Sequence, residues 1–225
     1  MQRLVLAAVA ALLCSPLLLA QKASENQFPK IEFSGGYLYV GEFPYNVFRF
    51  PIGNGAVVLE NDFGTRRGFA LSFTRNLNRR IGFRGEFSAQ FHHEEGTGNF
   101  IVLCGTGTCP VSQPIELTPK LFNFLGGPEI KFRNHTRFTP LVYALFGLAH
   151  TTATFSTSGT VLNLNLLTTE TGFSMAYGGA VEVRINRRFS VRTSVDFNPK
   201  WVGRDDNGAR QAQKDLRGFI GVVFR

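Results

Sequence analysis

The stretch Lys214-Asp-Leu-Arg-Gly-Phe-Ile-Gly-Val-Val-Phe-Arg225 decides how the rest of the chain is read. Its even positions, Leu216, Gly218, Ile220, Val222 and Phe224, form one apolar face. Arg217, Phe219, Gly221, Val223 and Arg225 alternate with them. Successive side chains of a strand point to opposite faces, so this spacing predicts a strand with one uniformly apolar side. That side ends on an aromatic one residue before the last position.

Working back toward the N-terminus, seven further segments show the same period. Lys30 to Val40 sets Ile31, Phe33, Tyr37 and Tyr39 against Glu32, Ser34 and Gly36. Arg67 to Arg75 sets Phe69, Leu71 and Phe73 against Gly68, Ala70, Ser72 and Thr74. Arg80 to Phe91 sets Ile81, Phe83, Phe87 and Phe91 against Arg84, Glu86, Ser88 and Gln90. Leu121 to Phe132 sets Phe122, Phe124, Ile130 and Phe132 against Asn123, Glu129 and Lys131. Pro140 to Ala149 is apolar on both faces, so periodicity leaves its sides unassigned. Gly172 to Ile185 places Phe173, Met175, Tyr177, Val181, Val183 and Ile185 opposite Ser174, Glu182 and Arg184. Phe189 to Asn198 places Phe189, Val191, Val195 and Phe197 opposite Ser190, Arg192, Ser194 and Asp196. Ten tilted strand residues span roughly 25 Å, the height of an outer-membrane apolar band. Lipid satisfies no backbone hydrogen bond, so such a sheet has to close on itself. The expected fold is an all-β, eight-stranded antiparallel up-and-down transmembrane barrel.

The connections sort into two kinds. Asn76 to Arg79, Arg133 to Phe138 and Asn186 to Arg188 are short and built largely from Asn and Arg, residues suited to tight turns. Between them lie Gly41 to Arg66, His92 to Lys120, Thr154 to Thr171 and Pro199 to Gln213, all long. Strict alternation of short and long trims one rim and elaborates the other, as periplasmic turns and extracellular loops do.

The N-terminus agrees with export. Met1-Gln2-Arg3, the apolar run Leu4 to Leu13 and the exit at Leu18-Leu19-Ala20 read as a secretory signal peptide over 1–20, followed by a short tail over 21–28 and the barrel over 29–225. Cys14 follows Leu13, where lipid-attachment motifs place a small residue, and is expected to leave with the signal. Cys104 and Cys109 then remain as an even pair in an exported chain, which favours a disulfide pinning a loop tip. The 225 residues include 23 Phe and 24 Gly and carry a formal charge of +8. In an exported barrel that charge implies contact with lipid phosphate or lipopolysaccharide rather than nucleic acid.

Three stretches carry a family resemblance: Tyr177-Gly-Gly-Ala-Val-Glu-Val-Arg-Ile-Asn-Arg-Arg-Phe-Ser-Val-Arg192, Phe122-Asn-Phe-Leu-Gly-Gly-Pro-Glu129 and the C-terminal strand. The chain resembles small outer-membrane β-barrel proteins of the OmpA/OmpX-like superfamily over nearly everything after residue 28. The resemblance implies location in the cell outer membrane. It also implies that the outward face Leu216, Gly218, Ile220, Val222 and Phe224 is the signal read by the barrel-insertion machinery. The superfamily's terminal strand ends on the aromatic, whereas here Arg225 follows Phe224. With Arg225 closing the last strand, no peptidoglycan-binding domain is expected after it.

The facing assignment puts acids and cations in the lumen: Glu32, Glu86, Glu129, Glu182 and Asp196 with Arg84, Lys131, Arg184, Arg192 and Arg217. An eight-stranded barrel is just wide enough to be filled by side chains. The expected arrangement is therefore a plug of paired charges, since an unpaired buried charge costs several kcal/mol. A charged solute pathway is the alternative. Two groups carry residue types suited to chemistry. One is His150 with Thr152 and Glu170, on the model of a His/Ser/Glu deacylase. The other is His92, His93, Glu94 and Glu95 as a base or metal cluster. Both read as polar rim residues, and no cofactor is implied. The expected function is a non-enzymatic structural or surface-recognition barrel, with an extracellular ligand as a possible partner. A narrow pore, a lipid A-modifying enzyme and a soluble lipocalin-like carrier are the alternatives. In the last of these the apolar side chains would face inward.

Overall fold

The computed structural model describes residues 28–42, 46–52, 55–61, 65–104, 107–158, 163–202 and 212–225. Its strands are β1 (Ile31–Glu42), β2 (Asn46–Ile52), β3 (Gly55–Asn61), β4 (Arg66–Asn76), β5 (Ile81–Phe91), β6 (Glu94–Cys104), β7 (Gly107–Lys131), β8 (Phe138–Ser158), β9 (Asn163–Arg184), β10 (Phe189–Lys200) and β11 (Gln213–Phe224). The described residues contain no helix. Strands β1, β4, β5, β7, β8, β9, β10 and β11 hydrogen-bond in an antiparallel ring, with β5 paired to β7 and β1 paired to β11. This is the expected eight-stranded barrel. Strand β6 lies outside the ring on the upper part of β7, and β2 and β3 form a separate hairpin.

Period-two patterning sorts the two faces. Phe33, Phe83 and Ile220 are 54, 56 and 55% exposed, whereas their neighbours Ser34, Arg84 and Phe219 are 8, 2 and 5% exposed. Apolar side chains face out and polar ones face in, the reverse of a soluble lipocalin-type barrel. Aromatic pairs knit the outer wall, with ring centroids 5.2 Å apart for Phe33–Phe73, 5.0 Å for Phe87–Phe124 and 5.4 Å for Phe189–Phe224. The fifth segment, unassigned by its sequence, presents Val142, Phe146 and Leu148 outward and buries Leu141, Tyr143, Leu145 and Ala149.

Closure places β1 against β11 with Gly36 opposite Gly221. A Cβ on Gly36 would lie 2.2 Å from the Ile220 carbonyl oxygen and 2.4 Å from the Gly221 Cα. The seam therefore admits only glycine there, because a side chain would collide with fixed backbone.

The long connections differ from the expectation of loops. Gly41 to Arg66 contains the β2–β3 hairpin. His92 to Lys120 is mostly sheet, in which β6 takes over pairing with β7 where β5 stops, near Phe91. Thr154 to Thr171 continues the β8–β9 ladder out to Ser158 opposite Asn163. The 25 residues of β7 far exceed the roughly ten needed to cross the apolar band. Beyond the band the ladder can continue in water with no requirement on which face is apolar, so alternation fades while pairing persists. The tip of the fourth connection, the signal segment 1–20 with Cys14, and nearly all of the 21–28 tail lie outside the described residues.

The β6–β7 register sets Cys104 opposite Gly107 and Cys109 opposite Val102, so the two cysteines lie diagonally on the same ladder.

Candidate functional site

Among the described residues, buried charged side chains converge in the lumen, because inner positions of several strands carry charge, as Arg84 and Glu86 do on β5, Glu129 and Lys131 on β7 and Arg192 and Asp196 on β10. At the short-turn end Glu32 is held by Lys131, by Arg133 at 2.9 Å and by Arg225 at 3.3 Å, and accepts a hydrogen bond from Asn76 Nδ2 at 3.2 Å. Lys131 also lies 3.0 Å from Glu129. Arg192 meets Glu182 through Nε at 3.1 Å and reaches Glu129 at 3.5 Å, while Arg225 caps the other oxygen of Glu182.

One layer further in, Arg84 Nη2 donates to Glu86 at 2.6 Å, and its guanidinium sits 4.7 Å from the centre of the Tyr143 ring. Arg217 pairs with Asp196 at 2.6 Å and with Glu86 at 3.1 Å, and the Tyr143 hydroxyl donates to Asp196 Oδ2 at 2.7 Å. A neutral belt follows. Arg217 Nη1 donates to Ser88 Oγ at 3.4 Å, Asn123 Nδ2 to the same oxygen at 3.2 Å, Ser174 Oγ to Asn123 Oδ1 at 3.4 Å and Asn198 Nδ2 to Ser174 Oγ at 3.0 Å. Beyond the belt Asp215 is paired with Lys200 and, at 2.9 Å, with Arg66. Arg84, Arg192, Arg217 and Lys131 are among the largest fully buried side chains.

Nine of the ten charges expected in the lumen are buried there in ion pairs: Glu32, Arg84, Glu86, Glu129, Lys131, Glu182, Arg192, Asp196 and Arg217. Arg184 is the correction. It is exposed, two residues past Glu182 on β9, and Glu182 pairs with Lys131, Arg192 and Arg225. Arg225, Arg133, Tyr143, Arg66, Lys200 and Asp215 join the network unforeseen. For four of them the signal was present: Arg66 and Lys200 continue the inward parity of their strands beyond the segment limits read from the sequence, and Asp215 and Arg225 share the parity of Arg217 within the last segment.

The two chemistry candidates stay apart. His150 pairs in register with Thr171, and its Nδ1 lies 2.8 Å from Thr171 Oγ1. Thr151 is the partner of Glu170, which places Glu170 on the face opposite His150 and Thr152. His93 is exposed, 3.2 Å from Glu95 and from Thr118 Oγ1 and 3.6 Å from Glu116, whereas His92 is half-buried. Among the described residues no group of His, Cys, Asp and Glu is arranged to hold a metal.

No protein-family model matches the chain, and no curated protein matches it. Solved structures do. Ail, the attachment invasion locus protein of Yersinia pestis, crystallised with the heparin analogue sucrose octasulfate, is 18% identical, with 86% of this chain and 96% of that one covered and a TM-score of 0.50. The outer membrane protease OmpT of Escherichia coli is 9% identical, with 86% and 95% covered and a TM-score of 0.50. The fold is that of the outer-membrane β-barrels. In an outer-membrane barrel the exposed aromatic wall faces lipid, and the ion-paired lumen is the only polar interior the chain has among its described residues.

Proposed function

We propose that the chain is a non-enzymatic integral outer-membrane barrel with a closed lumen, acting structurally or in surface recognition through its extracellular hairpins. The observation that carries this reading is the continuous ion network from Glu32 to Asp196, which sets buried, paired side chains across the lumen. A narrow pore needs that cross-section open. The recognition role is supported by β6–β9, which carry a rigid sheet well past the apolar band. A sulfated ligand such as the one bound to Ail has little support here, because the sequence over 92–120 carries three glutamates, Glu94, Glu95 and Glu116, against one lysine, Lys120. Against lipid A chemistry, Glu170 lies across the wall from His150. Lipopolysaccharide contact, delivery by the insertion machinery through Leu216, Gly218, Ile220, Val222 and Phe224, and a Cys104–Cys109 disulfide belong to the same proposal.

Planar-bilayer recording of the refolded protein tests it. The closed lumen yields no stepwise conductance. Discrete steps that vanish when Arg84 and Arg217 are made bulkier would establish the pore reading instead.

A further inference from the structure

The short-turn end repeats one local design four times. Lys30, Arg80, Arg137 and Arg188 each stand immediately before a strand that rises from this rim, namely β1, β5, β8 and β10. All four side chains are exposed. Each backbone carbonyl accepts the N–H of the last residue, or one close to it, on a neighbouring strand: Asn76 N to Lys30 O at 2.8 Å, Lys131 N to Arg80 O at 2.6 Å, Arg184 N to Arg137 O at 2.8 Å and Arg225 N to Arg188 O at 2.9 Å. Each cation is followed by an exposed apolar residue, Ile31, Ile81, Phe138 or Phe189, 48, 43, 55 and 43% exposed.

The turns holding three of these cations are braced by asparagine. Asn78 Oδ1 accepts from the N–H groups of Arg80 and Ile81 at 2.8 and 2.7 Å, and Asn186 Oδ1 accepts from those of Arg188 and Phe189 at 2.8 and 2.8 Å. Asn134 Oδ1 accepts from Thr136 N at 3.1 Å. None of the three short turns contains an acid. The acids nearest this end, Glu32, Glu129 and Glu182, are buried and already paired inward. The exposed cations therefore have no acidic neighbour within their own turns.

We infer that this rim is a docking ring for the phosphate groups of anionic lipids in the leaflet at the short-turn end. The cation–apolar pairing selects a lipid over a soluble polyanion. The apolar member anchors in the acyl region while the cation beside it, held at a fixed height by its backbone bond, reaches the headgroup phosphate. A soluble acidic polymer would use the cations and leave the apolar partners without a role. The inference rests on the barrel's position in the membrane and is independent of whether the lumen conducts.

The test is native mass spectrometry of the detergent-purified barrel with equal phosphatidylglycerol and phosphatidylethanolamine. Wild type is expected to retain phosphatidylglycerol preferentially and to lose it as salt is raised. Replacing Lys30, Arg80, Arg137 and Arg188 together by Gln should lower that retention at least about tenfold. Arg67→Gln with Lys120→Gln and Lys214→Gln at the opposite end should leave it unchanged. If the quadruple variant fails the heat-shift test for folding, the charge-keeping set Arg80→Lys, Arg137→Lys and Arg188→Lys is compared with the corresponding Gln triple. Equal retention by wild type and the Gln variants, or equal loss in the opposite-end control, overturns the docking ring. So does unchanged lipid retention with lost sedimentation on peptidoglycan sacculi, which would assign the ring to a wall polymer.

Discussion

Asp196 and Arg217 are register partners across the β10–β11 ladder, and their side chains also meet, Arg217 Nε donating to Asp196 Oδ1 at 2.6 Å. Backbone pairing and ion pairing therefore coincide at the point where Arg217 also holds Glu86. Removing the cation takes Asp196's ion-pair partner and leaves Glu86 to Arg84. Arg217→Met is expected to destabilise the barrel by about 3–5 kcal/mol, measured by urea unfolding in lipid vesicles, because Asp196 is left buried without its cation. The pair Arg217→Met with Asp196→Leu should recover part of that loss. If the single variant unfolds like wild type, the network contributes nothing to holding the barrel.

Leu71 and Ser72 test the two faces side by side. Leu71 is 51% exposed on the outer wall, while Ser72 is buried, with its hydroxyl 2.6 Å from that of Ser34. Leu71→Arg should cost about 2–4 kcal/mol, as a cation forced against hydrocarbon near mid-strand does. Ser72→Ala should cost only about 1 kcal/mol, the net worth of one hydrogen bond. A larger loss for Ser72→Ala than for Leu71→Arg would invert the assignment of the wall.

At the β1–β11 seam, Gly36→Val should prevent closure. Its side chain would enter backbone that lies within 2.4 Å of the Cβ position. The readout is electrophoretic mobility of unboiled against boiled samples, where wild type shifts on heating and the variant does not. A normal heat shift in Gly36→Val would show that the seam can open to admit a side chain.

Arg225 ties the end of the chain to Glu32, Glu182 and Ser190. Arg225→Gln should lower stability by about 1–3 kcal/mol through lost charged hydrogen bonds, while membrane insertion in cells proceeds at the wild-type level. Insertion is spared because the outward face ending at Phe224 is untouched. Loss of insertion with stability unchanged would make Arg225 part of the address rather than of the lumen.

Alternation in the sequence assigns lipid-facing and lumen-facing side chains on seven of the eight ring strands. A strand's faces alternate with period two, and in Phe33-Ser34 or Phe83-Arg84 the two environments demand opposite chemistry. The sequence also marks the three tight turns, each a short run built largely from Asn and Arg. Tertiary structure alone decided the rest. Leu141 and Val142 are equally apolar, so only the register of β8 against β7 and β9 could bury one and expose the other. Which cation meets which acid depends on the stagger of strands around the closed ring. That stagger brings Lys131 to Glu32 and lets Arg225, not Arg184, take the free oxygen of Glu182. The four cation–apolar pairs at the rim lie far apart along the chain, and closure of the barrel is what arranges them as a ring.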